Sequence, residues 1–572
     1  MFPVSPVVQL KDNSYMKKKQ LLFPFVSVLT IVASSCSPLA SSCNDMWCDV
    51  SEDNASSSAY VPPVVEMQID TNDNYVLENV DNADGSLSYE LFVRSFYDAD
   101  GDGIGDFKGV EAKLPYLASL GISNIWLMPI HPSPTYHGYD VIDYYDVNPQ
   151  FGTLDDFKDL LKSAHDLNID IMIDMVLNHS SKQNPWFEQS YQDMITNNNS
   201  DGSKADWYVW SDNRKTGYSS YKQSNYECQF DSSMPDLNFD SLTLRAEIEK
   251  IIKYWVEMGV DGFRLDAVKY YYMNNTTKNR EILSWFKEVA IQYNPDFYMV
   301  GECWDSNEVI ENYFKSDCDS FFKFSSSIES AGNESIVGQV KGFVRANTFA
   351  ETIESREAVV KQNNPNGYYS YFLSNHDMNR ASSSFQDVNA KMAASLYCLL
   401  PGMPYIYYGE EILMKGRREA NDHSDVRRRL PMIWSENNKV GECLFPESSR
   451  LDLSDNEQVA LGVLDQEAIP YSVINHYKKV GNVRNKYPIL KNGIFTNKCQ
   501  ELNTLDEHVL AYEISLNDES IVIIHNFNDY NVEVDVSTFG DTIDSQINTG
   551  HYLPEINNGK LKLGMYSTVV IK

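Results

Sequence analysis

With 572 residues, 42% of them hydrophobic and 22% charged, the chain can bury a large core and hold more than one domain, one of which can be a barrel of ~250 or more residues. Its formal net charge of −34 argues against a nucleic-acid partner, because binding a polyphosphate needs a basic footprint that displaces counterions. A neutral polymer such as a polysaccharide is indifferent to that charge, and 36 Tyr, 26 Phe and 9 Trp supply rings for a core and for sugar stacking.

The chain opens on a targeting pattern. Met16-Lys17-Lys18-Lys19 is a positive n-region, and Leu21 to Val32 is an apolar h-region too short to span a bilayer and interrupted by Pro24. Residues before Met16 read as an upstream extension. Val32-Ala33-Ser34-Ser35-Cys36 resembles a bacterial lipobox, which implies lipidation at Cys36 and export to the cell envelope on a lipid anchor; an ordinary secretory signal is the alternative. Residues 1–36 therefore form the leader, and residues 37–85, rich in Ser, Asn, Asp and Pro, form a flexible tether. The other eight cysteines show no CxxC pair, so no zinc site is expected; Cys43 and Cys48 are close enough to bridge, and those in apolar surroundings read as buried thiols.

From Ser86 onward, strand-like runs alternate with amphipathic helices. In order the runs are Tyr89 to Val93, Asn124 to Leu127, Ile169 to Ile173, Gly262 to Leu265, Phe297 to Val300, Ser320 to Phe322, Tyr369 to Leu373 and Tyr405 to Tyr408. Eight β-α units of this length predict a parallel (β/α)8 TIM barrel, built from residues 86–179 and 241–486. The polar stretch 180–240 is too long for a simple βα loop and reads as a small inserted domain. Residues 487–572 change to short alternating runs, such as Val509 to Tyr512 and Ile521 to Ile524, and predict a C-terminal antiparallel β-sandwich.

Polar residues at the C-terminal ends of barrel strands face the catalytic mouth. The third run ends in Asp174-Met175-Val176-Leu177-Asn178-His179, the fourth in Arg264-Leu265-Asp266, the fifth in Gly301-Glu302-Cys303-Trp304 and the seventh in Asn375-His376-Asp377. One strand-end Asp is more often a helix cap than a catalyst. Carboxylates, an arginine and two histidines at matching ends of several strands are a catalytic pattern.

These four segments resemble the four motifs of the α-amylase family, glycoside hydrolase family 13, in the right order. Met234 to Asn238, His137-Gly138-Tyr139-Asp140 to Phe151-Gly152-Thr153, and Tyr408 to Glu411 extend the likeness, which is nearest to bacterial cell-surface starch-utilisation amylases and to neopullulanase and oligo-1,6-glucosidase relatives. The resemblance implies Asp266 as nucleophile, Glu302 as general acid/base and Asp377 as stabiliser of the distorted sugar. It implies neutral His179 and His376 as donors to sugar hydroxyls, Tyr139 as a stacking platform, and Arg264 as the charge that orients Asp266 from two residues earlier on the same face. His137, Asp140 and Arg380 join the sugar-binding group, and Lys269 and Tyr270 line the leaving-group side, where the family often has a His at the second position. Arg429 either reaches the cleft or forms a structural ion pair. The resemblance also implies an α-glucan as substrate partner and a monomer.

One departure bears on specificity. Exo-acting α-glucosidases of the family carry an Asp three residues before the stacking Tyr, and here that position is Tyr136. Endo action on α-1,4-linked glucans is therefore expected, with neopullulanase, cyclomaltodextrinase, oligo-1,6-glucosidase or 4-α-glucanotransferase activity as alternatives. A barrel that only binds glycans would have lost a carboxylate, and all three are present. Asp98 to Asp106 places acidic side chains at alternating positions with glycines between, which suits a hard cation. Its twelfth position is Gly109, so it is not an EF-hand. It resembles the calcium loop of oligo-1,6-glucosidase relatives, implying Asp98, Asp100, Asp102 and Asp106 with the Ile104 carbonyl as ligands of a structural Ca2+.

Overall fold

The computed structural model describes residues 62–68, 85–198, 200–385, 387–418, 425–446 and 458–572. The leader, Cys36, Cys43, Cys48 and most of the tether lie outside these residues. Eight parallel strands form the central sheet: β1 (Ser88–Leu91), β2 (Asn124–Leu127), β3 (Asp170–Met175), β4 (Gly262–Leu265), β5 (Tyr298–Gly301), β6 (Ser320–Phe322), β7 (Tyr368–Ser370) and β8 (Tyr405–Tyr407). They are ordered by sequence from β1 to β7, β8 pairs back on β1, and a bridge from Phe372 to Tyr405 closes the ring between β7 and β8. The barrel expected from the alternation is present. Its strands are buried on both sides, which is why they read as nearly continuous apolar runs.

The seventh strand differs in detail from its expected span. Its ladder runs only from Tyr368 to Ser370, and beyond it the chain meets β8 through the isolated bridge of Phe372 with Tyr405, where Tyr405 N–H donates to Tyr371 O at 2.8 Å. Apolar character does not mark where that ladder stops, since Tyr371, Phe372 and Leu373 are all buried.

Between β3 and β4 lie a helix (Pro185–Ile195) and a three-stranded antiparallel sheet of Trp210–Ser211, Tyr218–Tyr221 and Ser224–Glu227. The returning segment pairs with the end of β3: Leu237 N–H donates to Asn178 O and Ser180 N–H to Pro235 O. That pairing draws Phe230 and Met234 to the barrel mouth. At the other end of the chain a five-stranded antiparallel sheet (494–497, 509–516, 519–526, 567–571, 543–548) faces a three-stranded one (532–535, 560–563, 555–557). Period-2 alternation divides its residues between two cores. Val509, Ala511, Val522 and Ile524 pack within the sandwich, while Leu510, Tyr512, Ile521 and Ile523 join the barrel's core. Among the described residues the six cysteines are free thiols, five of them buried, and no helix is long and apolar enough to cross a membrane.

Candidate active site

The C-terminal rim of the barrel encloses a cavity of about 700 Å³. At its floor, one guanidinium organises three carboxyl groups from neighbouring strands. Arg264 on β4 is 1% exposed. Its Nη1 donates to Asp174 Oδ1 at 2.8 Å and to Asp266 Oδ1 at 2.7 Å, and its Nη2 lies 3.0 Å from Glu302 Oε2. The spacing explains this: Arg264 is in register with Asp174 on β3 and with Val300 on β5, so the ends of three adjacent strands meet at one point. The rings of Trp126 and Tyr139 cover the cation, with centroids 5.0 and 5.6 Å away.

The backbone after Asp266 adds a further constraint. Ala267 has φ +50°, a left-handed conformation that costs a non-glycine residue roughly 1–2 kcal/mol. It points the Ala267 N–H at Glu302 Oε2, 3.2 Å away, so the turn that ends β4 also fixes the carboxyl on β5.

A second group runs along the opposite wall. His376 Nδ1 donates to Glu90 Oε1 on β1 at 2.5 Å, and its Nε2 lies 2.7 Å from the Tyr139 hydroxyl and 3.2 Å from Asp377 Oδ2. Tyr139 O–H donates to Asp174 Oδ2 at 3.0 Å, joining this wall to the Arg264 group. The Tyr139 ring is stacked on His376 with an interplanar angle of 15°. On the far side Arg429 Nη2 donates to Asp377 Oδ1 at 3.0 Å.

Burial and neighbouring charge together set the protonation of these groups. Burial raises the Glu302 carboxyl, and Asp266 and Asp377 add to the rise by repulsion, against the pull of Arg264. Burial likewise pushes Asp174 up to about 7, although Arg264 opposes it. Asp377 goes the other way: burial disfavours its charge, but His376, Arg429 and Arg428 outweigh that and hold it well below the usual carboxylate range. Burial alone would neutralise His376, yet Asp377 and Glu90 raise it to about 9. The expectation of a neutral His376 is therefore corrected to an imidazolium between two carboxylates. His179 is pushed down by burial and is neutral as expected; its Nε2 lies 3.1 Å from Tyr139 O.

Asp266, Glu302, Asp377, His137, Tyr139, His179, Lys269, Tyr270 and Arg429 all line the cavity. Arg429 both reaches the cleft and forms an ion pair, so its two sequence readings hold together. Lys269 is engaged rather than free, donating to Trp304 O at 2.6 Å and to Asp305 Oδ2 at 2.9 Å. Three expected sugar ligands stand outside the cavity lining, and one of them, His376, is fully buried with its ring nitrogens on Glu90 and on Tyr139 and Asp377. Asp140 is fully buried and accepts from Ser133 and Thr135, which ties down its own loop. Arg380 is buried beneath the rim, at the start of the turn Ala381–Ser383, and donates to the carbonyls of Arg428 and Tyr408.

Other lining residues were not singled out from sequence: Phe230, Asp231 and Met234 from the insert, Trp304, Arg418 and Asp425. Trp304 lies in a recognised motif, is 43% exposed, and stacks on Phe324 at 14°. Glu90 and Asp174 carried a signal of their own, since an acidic residue inside a fully buried strand must be paired.

Residues 90–493 match the α-amylase catalytic domain family. The chain belongs to that family. Alpha-amylase 3 of Dictyoglomus thermophilum is 38% identical over 500 residues, covering 85% of this chain and 93% of that relative. Oligo-1,6-glucosidase of Parageobacillus thermoglucosidasius is 27% identical, covering 78% and 90%. Among solved structures, Eubacterium rectale Amy13B superposes with a TM-score of 0.78 at 36% identity, covering 86% of this chain and 96% of its own. The protein is thus a glycoside hydrolase of α-glucans.

A second cluster lies outside the cavity. One carboxylate oxygen from each of Asp98, Asp100 and Asp106 falls within 4.8 Å of the others. Asp98 and Asp106 are buried, and burial together with the Asp100 charge raises Asp106 despite three backbone donors. Such crowding of like charge fits a hard cation. Asp102 falls outside this trio; its Oδ1 accepts the Ile104 N–H at 2.7 Å, as Asp98, Asp100 and Asp106 also accept N–H groups of the same loop.

His376 gives a pH signature. Its folded pKa lies above the ordinary histidine value, so its stabilising charge is complete below pH 6.5 and lost as pH rises through about 9. The stability difference between the native chain and His376→Asn, measured by denaturant titration, should shrink by on the order of 3 kcal/mol between pH 6.5 and 9.5. A difference independent of pH would overturn the imidazolium.

Proposed function

We propose that the protein is a retaining, endo-acting α-amylase that hydrolyses α-1,4-glucosidic bonds through a covalent glycosyl-enzyme. The observation that carries the reading is the bridging of Asp266 and Glu302 by one arginine. One guanidinium in contact with both carboxyls holds them near each other, which supports a retaining pair, whose carboxyls stand ~5–5.5 Å apart.

In the first step Asp266 attacks the anomeric carbon while Glu302 gives its proton to the departing glycosidic oxygen. In the second, Glu302 takes a proton from water, which displaces Asp266. Burial and two neighbouring carboxylates favour the protonated form of Glu302 that the first step needs. Asp377, kept ionised by His376 and Arg429, accepts from sugar hydroxyls and favours the positively charged transition state. Tyr139 presents an aromatic face to the sugar, with the buried His376 ring stacked against it.

Endo action is supported by Tyr136, which lies outside the cavity lining and directs its hydroxyl to Arg429 O at 3.0 Å. Asp425 does stand in the wall, but its carboxylate is taken up by Arg428 and Arg429. We further propose that Asp98, Asp100 and Asp106 hold a structural Ca2+, which when bound compensates their charge. Lipidation at Cys36 and anchorage at the cell envelope rest on the leader sequence alone.

Asp266→Asn and Glu302→Gln should each lower kcat by about 10³-fold or more with the melting temperature nearly unchanged; near-native turnover in either would overturn its role. Soluble starch should release a spread of maltooligosaccharides early, as read by chromatography. Glucose alone from the start would mean exo action, panose from pullulan neopullulanase action, and products longer than the donor transfer. Chelator should lower the melting temperature of the native chain and leave that of Asp98→Asn/Asp106→Asn unmoved; no effect on the native chain would remove the cation.

A further inference from the structure

The segment carrying Arg429 has no place in any sheet, yet it is held to the rim at three successive carbonyls. Arg428 O accepts from Tyr407 O–H at 3.0 Å and from Arg380 Nε at 2.9 Å. Arg429 O accepts from Ser95 Oγ at 2.9 Å and from Tyr136 O–H at 3.0 Å. Leu430 O accepts from Tyr408 O–H at 2.7 Å. Only the middle residue sends its side chain into the cavity, where Nη2 meets Asp377 Oδ1 and Nε donates to His376 O at 3.3 Å.

We propose that Tyr136, with Ser95, is a positioning residue that sets the reach of Arg429 onto Asp377. The proposal rests on the reading of Asp377 given above. Tyr136 is well placed to act as a fixed strut. Its ring is held edge-on by Phe92 at 5.3 Å, and the Arg94 guanidinium lies 5.2 Å from its centroid. Burial raises its hydroxyl, which therefore stays a proton donor. Phe92 and Ser95 belong to the end of β1 and the turn after it, and Tyr136 to the loop after β2. The barrel's first two units thus locate a cation that acts on a carboxylate from the seventh. The position at which exo-acting relatives were expected to have a carboxylate is not empty of function: a phenol there grips the backbone of the arginine that acts on the sugar site.

A displacement of about 1 Å at a catalytic group can cost up to 10²-fold in rate, so loss of the strut should be read in turnover. With a nitrophenyl maltooligosaccharide and the full chain, Tyr136→Phe should lower kcat by about tenfold or more with KM within about twofold. Ser95→Ala should act in the same direction. If Tyr136 works through Arg429, Tyr136→Phe should cost no more than about twofold further in an Arg429→Gln or Asp377→Asn background. Tyr408→Phe, which strips the donor from the next carbonyl, serves as the structural comparison and should add its effect equally in every background. Equal losses from Tyr136→Phe in all backgrounds, or a change in melting temperature or KM alone, would overturn the proposal. Near-native turnover of Asp377→Asn would overturn the assignment of Asp377, and this proposal with it.

Discussion

A guanidinium buried at the end of a barrel strand is the constraint on which the site depends. Arg264 could not remain there without anionic partners, since taking a cation out of water costs several kcal/mol even after relaxation. Its partners come from β3, from β4 itself and from β5, so register among three strands and placement of the reactive groups are one requirement. A slip of one residue in any of these strands would turn its carboxylate away from the mouth and leave the cation unpaired.

The wider group shows why one of these carboxyls can serve as an acid. Five carboxyls meet in one hydrogen-bonded network: Glu90, Asp174, Asp266, Glu302 and Asp377. Three cations touch them: Arg264, His376 and Arg429. Burial disfavours the charge on these carboxyls and their mutual repulsion adds to it, so protons are drawn in where the cations do not prevail. The two groups driven upward are Asp174 and Glu302, while Asp377, beside two cations, is driven down. Glu302 is thus made a proton donor by burial first, with the repulsion of Asp266 and Asp377 added to it against the pull of Arg264. Asp377 and Glu90 make His376 a cation.

The barrel and the C-terminal sandwich were legible in the sequence because each leaves a periodic signal, the insert because its polar stretch is too long for a loop, and the motif residues because catalysis requires them at strand ends. What was not legible depended on distances in space. Asp140 and Arg380 sit in motifs and look like sugar ligands, but one is folded under its own loop and the other under β8. Phe230, Arg418 and Asp425 reach the cavity from segments with no barrel periodicity, so nothing local marks them. The neutral histidine expected at His376 failed for a related reason: Glu90 is 286 residues away in the chain and 2.5 Å away in the structure.

Precision in an irregular segment needs another source than a ladder. Residues 428–430 obtain it from the hydroxyls and guanidinium of Tyr407, Tyr408, Ser95, Tyr136 and Arg380, and Met432 N–H adds a bond to Ser95 O at 2.8 Å. Each of these groups is buried or, in Tyr136, half-buried and would lose a bond if the segment moved, so displacement costs several hydrogen bonds at once. The segment therefore has the rigidity of a strand while keeping the freedom to aim one side chain inward. On this view the abundance of tyrosine near the rim is as much a matter of fastening backbone as of stacking on sugar. A barrel can then place a catalytic cation from a loop with the accuracy that its strands give to Asp266 and Glu302.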